Sequence, residues 1–545
     1  MPYKNILFNT HAEWILPIVS EYLSDENLAK MSRMSKYVNK ILNNVLLPKK
    51  LQTSLKFINM PINKIQYIRM LDWSNDHKIC DYKLPVNLTQ LLFDNDFNQP
   101  LSGHIFKCVN LTHLYIGWNY NYQLLPNTLP PNLIHLTING IFNNQLLPNT
   151  LPLNLTHLTL KGAFNKQLLP NTLPLNLTHL TIEGDFNKQL LPNTLPLNLT
   201  HLTIEGAFNL PLLPLNLLNL THLTLGDGFN QHIGNIPINL THLTLGNGFN
   251  QHIGNIPINL THLTLGDGFN QHIGILPINL THLTLGNGFN RRLIPGILPL
   301  TLTYLKLGNW FDQSFQIGSL PPNLTHLKLG DRFNQPLLFN VLPLTLTYLN
   351  IGNMFIQQLI PGALPINLTH LKFGCLFNQL LHFNTLPPNL THLTFGNYYD
   401  TQINPNTLPR TLTHLTFEYY YDNQFLPGIF PPNLTHLTFD PCFNKCIDVN
   451  VLPITLTHLN FGYCYDKQLQ NFNNLINLTH LTFGHDFNQI LDIKLLPPKL
   501  TYLELGICFN QPLNLIGLNL KELVISSNYN QNIQYNDCEL RYVNY

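Results

Sequence analysis

The chain has 545 residues, a formal net charge of +1 and 44% hydrophobic residues, and only 10% of it is charged, where about 25% is usual. That much apolar sequence buries an ample core, while the balanced charge and the lack of any basic run exclude the clustered Lys and Arg that displace counterions from nucleic acid. No stretch approaches the roughly twenty apolar residues that span a bilayer, and the N-terminus lacks a signal-peptide core, so a soluble intracellular protein with neither membrane nor nucleic acid as partner is expected.

Residues 1–48 come first and read as short helices. From Glu13 to Leu23 the apolar residues fall at helical spacing, with Pro17 kinking the helix or opening a second one. Ser24 can cap the next helix, Asp25 and Glu26 suit its first turn, and Leu28, Met31, Met34, Val38, Ile41 and Leu42 form one face. Helices this short need a packing partner. The run Tyr22-Leu23-Ser24-Asp25-Glu26-Asn27-Leu28, followed by Met34-Ser35-Lys36-Tyr37, resembles a degenerate F-box, the motif that docks on the Skp-type adaptor of cullin ubiquitin ligases. Two departures stand out: Thr10-His11-Ala12 replaces the usual Leu-Pro opening, and Tyr37 or Val38 stands where the family has Trp. The resemblance implies a Skp-type adaptor as partner, contacted through Ile18, Leu23, Leu28, Met31 and Met34. The alternative is a helical cap that shields the first strand of the array behind it. Residues 49–62 read as a connector.

From residue 63 to 545 one motif recurs about every twenty-two residues, some 20–22 times. A clean copy runs Leu155-Thr156-His157-Leu158-Thr159-Leu160, then Lys161-Gly162-Ala163-Phe164-Asn165, then a return segment with Pro170 and Pro174. Period-two alternation makes a short strand with Leu158 and Leu160 facing inward and His157 and Thr159 outward. So short a unit cannot bury its own apolar edge, and each strand is expected to pair in parallel with the same strand of the next copy. Weaker copies are placed around Gln66, Gln90 and Glu522. The aromatic seven residues after each histidine, such as Phe142, Phe164, Phe333 and Phe377, reads as a buried spine. The Asn or Asp after it supplies a side-chain oxygen to unpaired turn N–H groups, and Ile356 interrupts that column, which makes its turn the loosest. Prolines in the return segment exclude helix and internal strand there. The predicted fold is a leucine-rich-repeat-like solenoid: a curved parallel β-sheet with extended, Pro-rich outer segments.

Phe97-Asn98-Gln99-Pro100, Phe333-Asn334-Gln335-Pro336 and Phe509-Asn510-Gln511-Pro512 resemble the signature of the FNIP repeat, a relative of the leucine-rich repeat. The resemblance covers about four fifths of the chain. It implies a binding role, no reaction and no cofactor, and such arrays are typical of amoebae and of the large DNA viruses that infect them.

Histidine is the residue most open to misreading. Stacked imidazoles lie close enough for two to share a metal, yet so many equivalent positions define no single site, and a solvated polar ladder explains them. Crowded imidazoles resist protonation, so their folded pKa values are expected to be lowered. Ser, His and acid gather nowhere, and no phosphate loop occurs, which argues against an enzyme. Cys442 and Cys464 occupy equivalent places in adjacent units, as thiols in a reducing compartment. The many Asn-Leu-Thr triplets read as a by-product of the repeat. A partner patch is expected where the outward columns leave the consensus over four successive units: Tyr304 and Tyr348 replace His, and Lys306, Lys328, Asn350 and Lys372 replace Thr. Its partner would be a protein surface that is acidic or mixed in charge. Tyr398, Tyr419, Tyr420 and Tyr463 are expected at the rim, and Phe373, Phe395, Phe417, Phe439, Phe461 and Phe483 point to a bulkier interior in the C-terminal half.

Overall fold

The strands alternate in burial as their leucines alternate with polar residues. In His157–Gly162 the histidine and threonine are half-exposed while Leu158 and Leu160 are almost wholly buried. The structure, a computed structural model, describes residues 51–52, 70–73, 84, 87–101, 108–213, 217–234, 236–421, 423–439, 441–535 and 538–543. The helical segment expected over 1–48, with Ile18, Leu23, Leu28, Met31 and Met34, lies outside the described residues.

Every strand pairing among the described residues is parallel and keeps the motif in register. His157 lies beside His179, Leu158 beside Leu180 and Thr159 beside Thr181, and the next rung repeats the alignment. The chain divides into two units. The first runs up to Phe249 and takes in Gly254–Asn259; the second holds Asn250–Ile253 and everything from Leu260.

In the first unit the ladder climbs to the rung His242–Leu245. Its earliest pairing is Leu51 with Leu71, so a strand already stands inside the stretch read as a connector. Met70 pairs with Gln90, which puts Met70 in the histidine column, four residues beyond the Gln66 position expected. In the second unit the ladder runs from His262–Leu265 to Tyr502–Glu504, then adds Glu522–Ser526 and Glu539–Val543. A separate parallel pair, Leu513–Asn514 with Ile533–Gln534, lies outside that ladder.

A glycine after the strand sets how closely successive turns stack. A Cβ on Gly330 would stand 1.8 Å from the carbonyl oxygen of Gly308, so only glycine lets one turn nest on the one before. The spine aromatic then enters the core. Phe142, Phe164, Phe186 and Phe208 stack at 6.1–6.2 Å, each pair adding about 0.5–1.5 kcal/mol beyond its buried area. The heavier C-terminal interior is present as expected: Phe373 lies on Phe377 at 4.0 Å and Phe461 on Tyr465 at 4.0 Å, all four buried.

The return segments are irregular and extended. In the longer copies they reverse at an asparagine in the left-handed region, such as Asn171 and Asn193 (φ 64° each), a conformation that Asn tolerates better than most residues. The buried threonine after it, Thr172, ties the turn by donating to the Leu169 carbonyl at 2.7 Å. In three units that lack the first proline the segment winds into a single 3-10 turn, at Val449–Val451, Phe472–Asn474 and Ile493–Leu495. Other segments without that proline, at Ile317, Phe339 and Phe383, stay irregular, so among the described residues the exclusion of helix fails at the three 3-10 turns.

Candidate interaction face

Three sets of side chains bridge rung to rung. The turn asparagine accepts from the backbone N–H of its successor: Asn143 Oδ1 from Asn165 at 2.9 Å, and Asn165 Oδ1 from Asn187 at 3.0 Å. Gln145 Nε2 donates to the Gln167 carbonyl at 2.7 Å. The asparagine of the Asn-Leu-Thr triplet donates backward, Asn176 Nδ2 to Leu153 O at 2.9 Å, which gives that residue a structural use within the array.

On the outward face the histidines form a stack. His157 and His179 lie 4.1 Å apart at 12°, and the same spacing recurs at His392–His414 and His414–His436 in the second unit. A threonine precedes every histidine of the stack except His135, which follows Ile134, and sets its tautomer. Thr178 Oγ1 donates to the Thr156 carbonyl at 3.2 Å, so its 2.9 Å contact with His179 Nδ1 requires the proton on the ring. Nε2 is then the ring's acceptor, and the face offers a row of acceptors in step with the strands. Burial of the ring, then the charge of flanking imidazoles, lowers His157, His392 and His436 to about 4. His135, His179 and His458 are lowered for the same reasons.

The expected Tyr/Lys positions fall side by side on this face, within the second unit. Tyr304, His326, Tyr348 and His370 are consecutive in one column, and Lys306, Lys328, Asn350 and Lys372 in the other. Ring spacing loosens there, to 6.4 Å at Tyr304–His326. Lys306 is exposed and has no ion-pair partner among the described residues. Lys328 Nζ lies over the Tyr348 ring, 5.9 Å from its centre. Lys372 is engaged elsewhere, paired with Glu418 two rungs on, so the patch carries two available cations instead of three. On the neighbouring turns Arg332 covers the exposed Trp310 at 4.7 Å, a pair that its column position alone could have suggested.

Glu418 stands in the glycine column, and there an open groove of about 700 Å³ begins. Phe417, Phe439, Phe461 and Phe483 back it, Thr438, Thr482 and Glu504 line it, and Tyr463 and His485 close its rim. Tyr398, Tyr419, Tyr420 and Tyr463 are exposed as expected, with Tyr398 stacked on Tyr420 at 5.2 Å. The regular motif carries no signal for this groove. Among the described residues no helix is long and apolar enough to cross a membrane.

Parallel strands in register, leucine-lined cores and irregular return segments define a leucine-rich-repeat-like scaffold built from one repeating unit. The FNIP Repeat model matches at residues 109–140, 142–185, 229–268, 269–309, 311–354, 345–376, 377–420, 421–464 and 476–508, more than half of the sequence, and the chain belongs to that family. It is similar to CroV588, described as a novel circular LRR protein structure, with 40% identity, a TM-score of 0.77, and coverage of 88% of this chain and 73% of that one. It also aligns with YopM from Yersinia enterocolitica WA-314 (20% identity, TM-score 0.42, 88% and 93% covered) and with the mouse RP105/MD-1 complex (18%, 0.48, 84% and 80%). No curated protein matches the sequence.

Proposed function

We propose that the protein is a non-enzymatic intracellular adaptor whose repeat array selects a protein partner on the histidine–threonine face. One observation carries this reading: the longest interior run of departures from the consensus on that face is contiguous, Tyr304 and Tyr348 framing Lys306 and Lys328, while the flanking rungs at His262, His282, His392 and His414 keep the consensus. A tyrosine-flanked cation pair beside a row of imidazole acceptors suits a partner with carboxylates opposite the lysines and N–H donors opposite the histidines. The test is binding by the full chain, with partners identified by cross-linking and then assayed purified. Lys306→Glu with Lys328→Glu should abolish binding of any partner seated here, and a partner retained by that variant would place recognition elsewhere.

The finer reading is that the array is the substrate-recognition part of a Skp/cullin/F-box ubiquitin ligase. Its support is the resemblance of residues 22–28 and 34–37 to the F-box. The full chain should retain a purified Skp-type adaptor, and Leu23→Asp with Leu28→Asp should release it. Failure of the wild type to retain the adaptor favours the rival, in which the N-terminal helices only cap a scaffold that has no ubiquitin role.

A further inference from the structure

The residue just before the spine aromatic varies freely in most rungs: Trp310, Arg332, Met354, Leu376 and Tyr398. In four successive rungs near the C-terminus it becomes Cys442, Cys464, Asp486 and Cys508. Backbone bonds stack these turns in step, Asp486 N–H to Tyr463 O at 2.9 Å and Cys508 N–H to His485 O at 2.9 Å. The residue before this column is Asn or Asp in several rungs, as at Asn309, Asp331 and Asn353, and varies near the C-terminus, where it is Tyr463, His485 and Ile507 in succession. A histidine therefore meets the Cys and Asp column at one point.

There, His485 Nδ1 lies 2.6 Å from Asp486 Oδ1 and 3.6 Å from Cys508 Sγ, and the three donor atoms are all within 4.8 Å of one another. Tyr463 stacks on the imidazole at 4.3 Å and 8°, which holds the ring in place. His485 and Asp486 are half-buried and Cys508 is exposed, so the group is both ordered and open to solvent. Among the described residues no other His, Cys, Asp or Glu trio comes this close.

We propose that His485, Asp486 and Cys508 form a binding site for one zinc-like divalent transition metal. One imidazole nitrogen, one carboxylate oxygen and one thiolate are donors of borderline softness, which suit Zn²⁺ and its probe Co²⁺ and disfavour Mg²⁺ or Ca²⁺, which take oxygen ligands. At ordinary Zn–N and Zn–S lengths a tetrahedral site has an N···S edge of about 3.6 Å, the separation already present; the N···O edge, about 3.3 Å, needs the carboxylate to swing by under an ångström. Binding displaces the thiol proton of Cys508 and the hydrogen bond between His485 and Asp486, and leaves the fourth position to water. The outward histidine ladder is a different case. Outside His135 its Nδ1 atoms face threonine hydroxyls, as at His179 and His414, and the histidine column itself offers neither carboxylate nor thiol.

The experiment uses the full chain, untagged and reduced, titrated with Co²⁺ and then Zn²⁺. Expected are one Co²⁺ per chain with a thiolate-to-metal charge-transfer band and tetrahedral ligand-field bands, all displaced by one Zn²⁺. Cys508→Ser should remove the charge-transfer band, and His485→Asn, which restores a residue common at that position, should lose the stoichiometric site while melting like the wild type. A charge-transfer band that survives Cys508→Ser, or cobalt bound only without one, would overturn the assignment.

Discussion

Asn143 Oδ1 accepts the backbone N–H of Asn165 at 2.9 Å, and Asn334 Oδ1 accepts that of Ile356 at 3.0 Å. The first bond is one link of a chain; the second ends one, because isoleucine has no oxygen to pass on. A buried or half-buried donor left unpaired costs about 1–3 kcal/mol, so each link stabilises the turn above it. Asn165→Ala should lower stability by about 1 kcal/mol, and Ile356→Asn should raise it by about 0.5–1 kcal/mol. Amide exchange at Asn187 and Asn378 checks both: faster at Asn187 in the first variant, slower at Asn378 in the second.

The histidine ladder makes stability depend on pH. His157, His392 and His436 have folded pKa values of about 4, set by burial first and neighbouring imidazoles second. Unfolded histidine titrates near 6.5, so between these values the unfolded chain binds more protons than the folded one. The ladder's contribution is complete above about pH 6.5 and is lost as pH falls toward 4. Melting temperature should fall between pH 7.5 and 5.0, and less so in His157→Gln/His392→Gln/His436→Gln. An unchanged or higher midpoint in acid refutes it.

Tyrosine in the spine leaves a buried hydroxyl. Tyr399 is almost wholly buried between Phe377 and Tyr421, its Oη has no hydrogen-bond partner among the described residues, and burial pushes its pKa upward. Phenylalanine occupies the same place in most rungs. Tyr399→Phe removes a desolvated polar group and keeps the stack, and should stabilise by about 1 kcal/mol in chemical denaturation.

The columns were legible in the sequence because period and register are the same fact: once His157 and His179 are equivalent, Leu158, Thr159 and Phe164 have their places too. The Tyr304/Lys306 patch was legible for that reason. What escaped depends on distances the period does not encode. Lys372 reaches Glu418 across two rungs, a pairing invisible to any comparison of equivalent positions. His485 and Cys508 sit in different columns and meet only because adjacent turns nest. The rungs at Leu51 and Met70 carry no histidine, so pattern alone mislaid them.

The glycine column sets two substitutions against each other. At Gly330 a methyl group would fall 1.8 Å from the Gly308 carbonyl oxygen, and backbone cannot yield as a side chain does. Gly330→Ala should therefore cost about 1–3 kcal/mol by forcing the turns apart. Glu418 already fills the same column where the groove opens, so its rung has adjusted to a side chain. Its pairing with Lys372 is 27–42% exposed, and ion pairs of that kind contribute about 0–1 kcal/mol. Glu418→Gly should leave the melting temperature nearly unchanged while releasing Lys372 as a third cation beside Lys306 and Lys328. A loss of stability in Glu418→Gly as large as that in Gly330→Ala would show instead that the Glu418 side chain is part of its rung's packing.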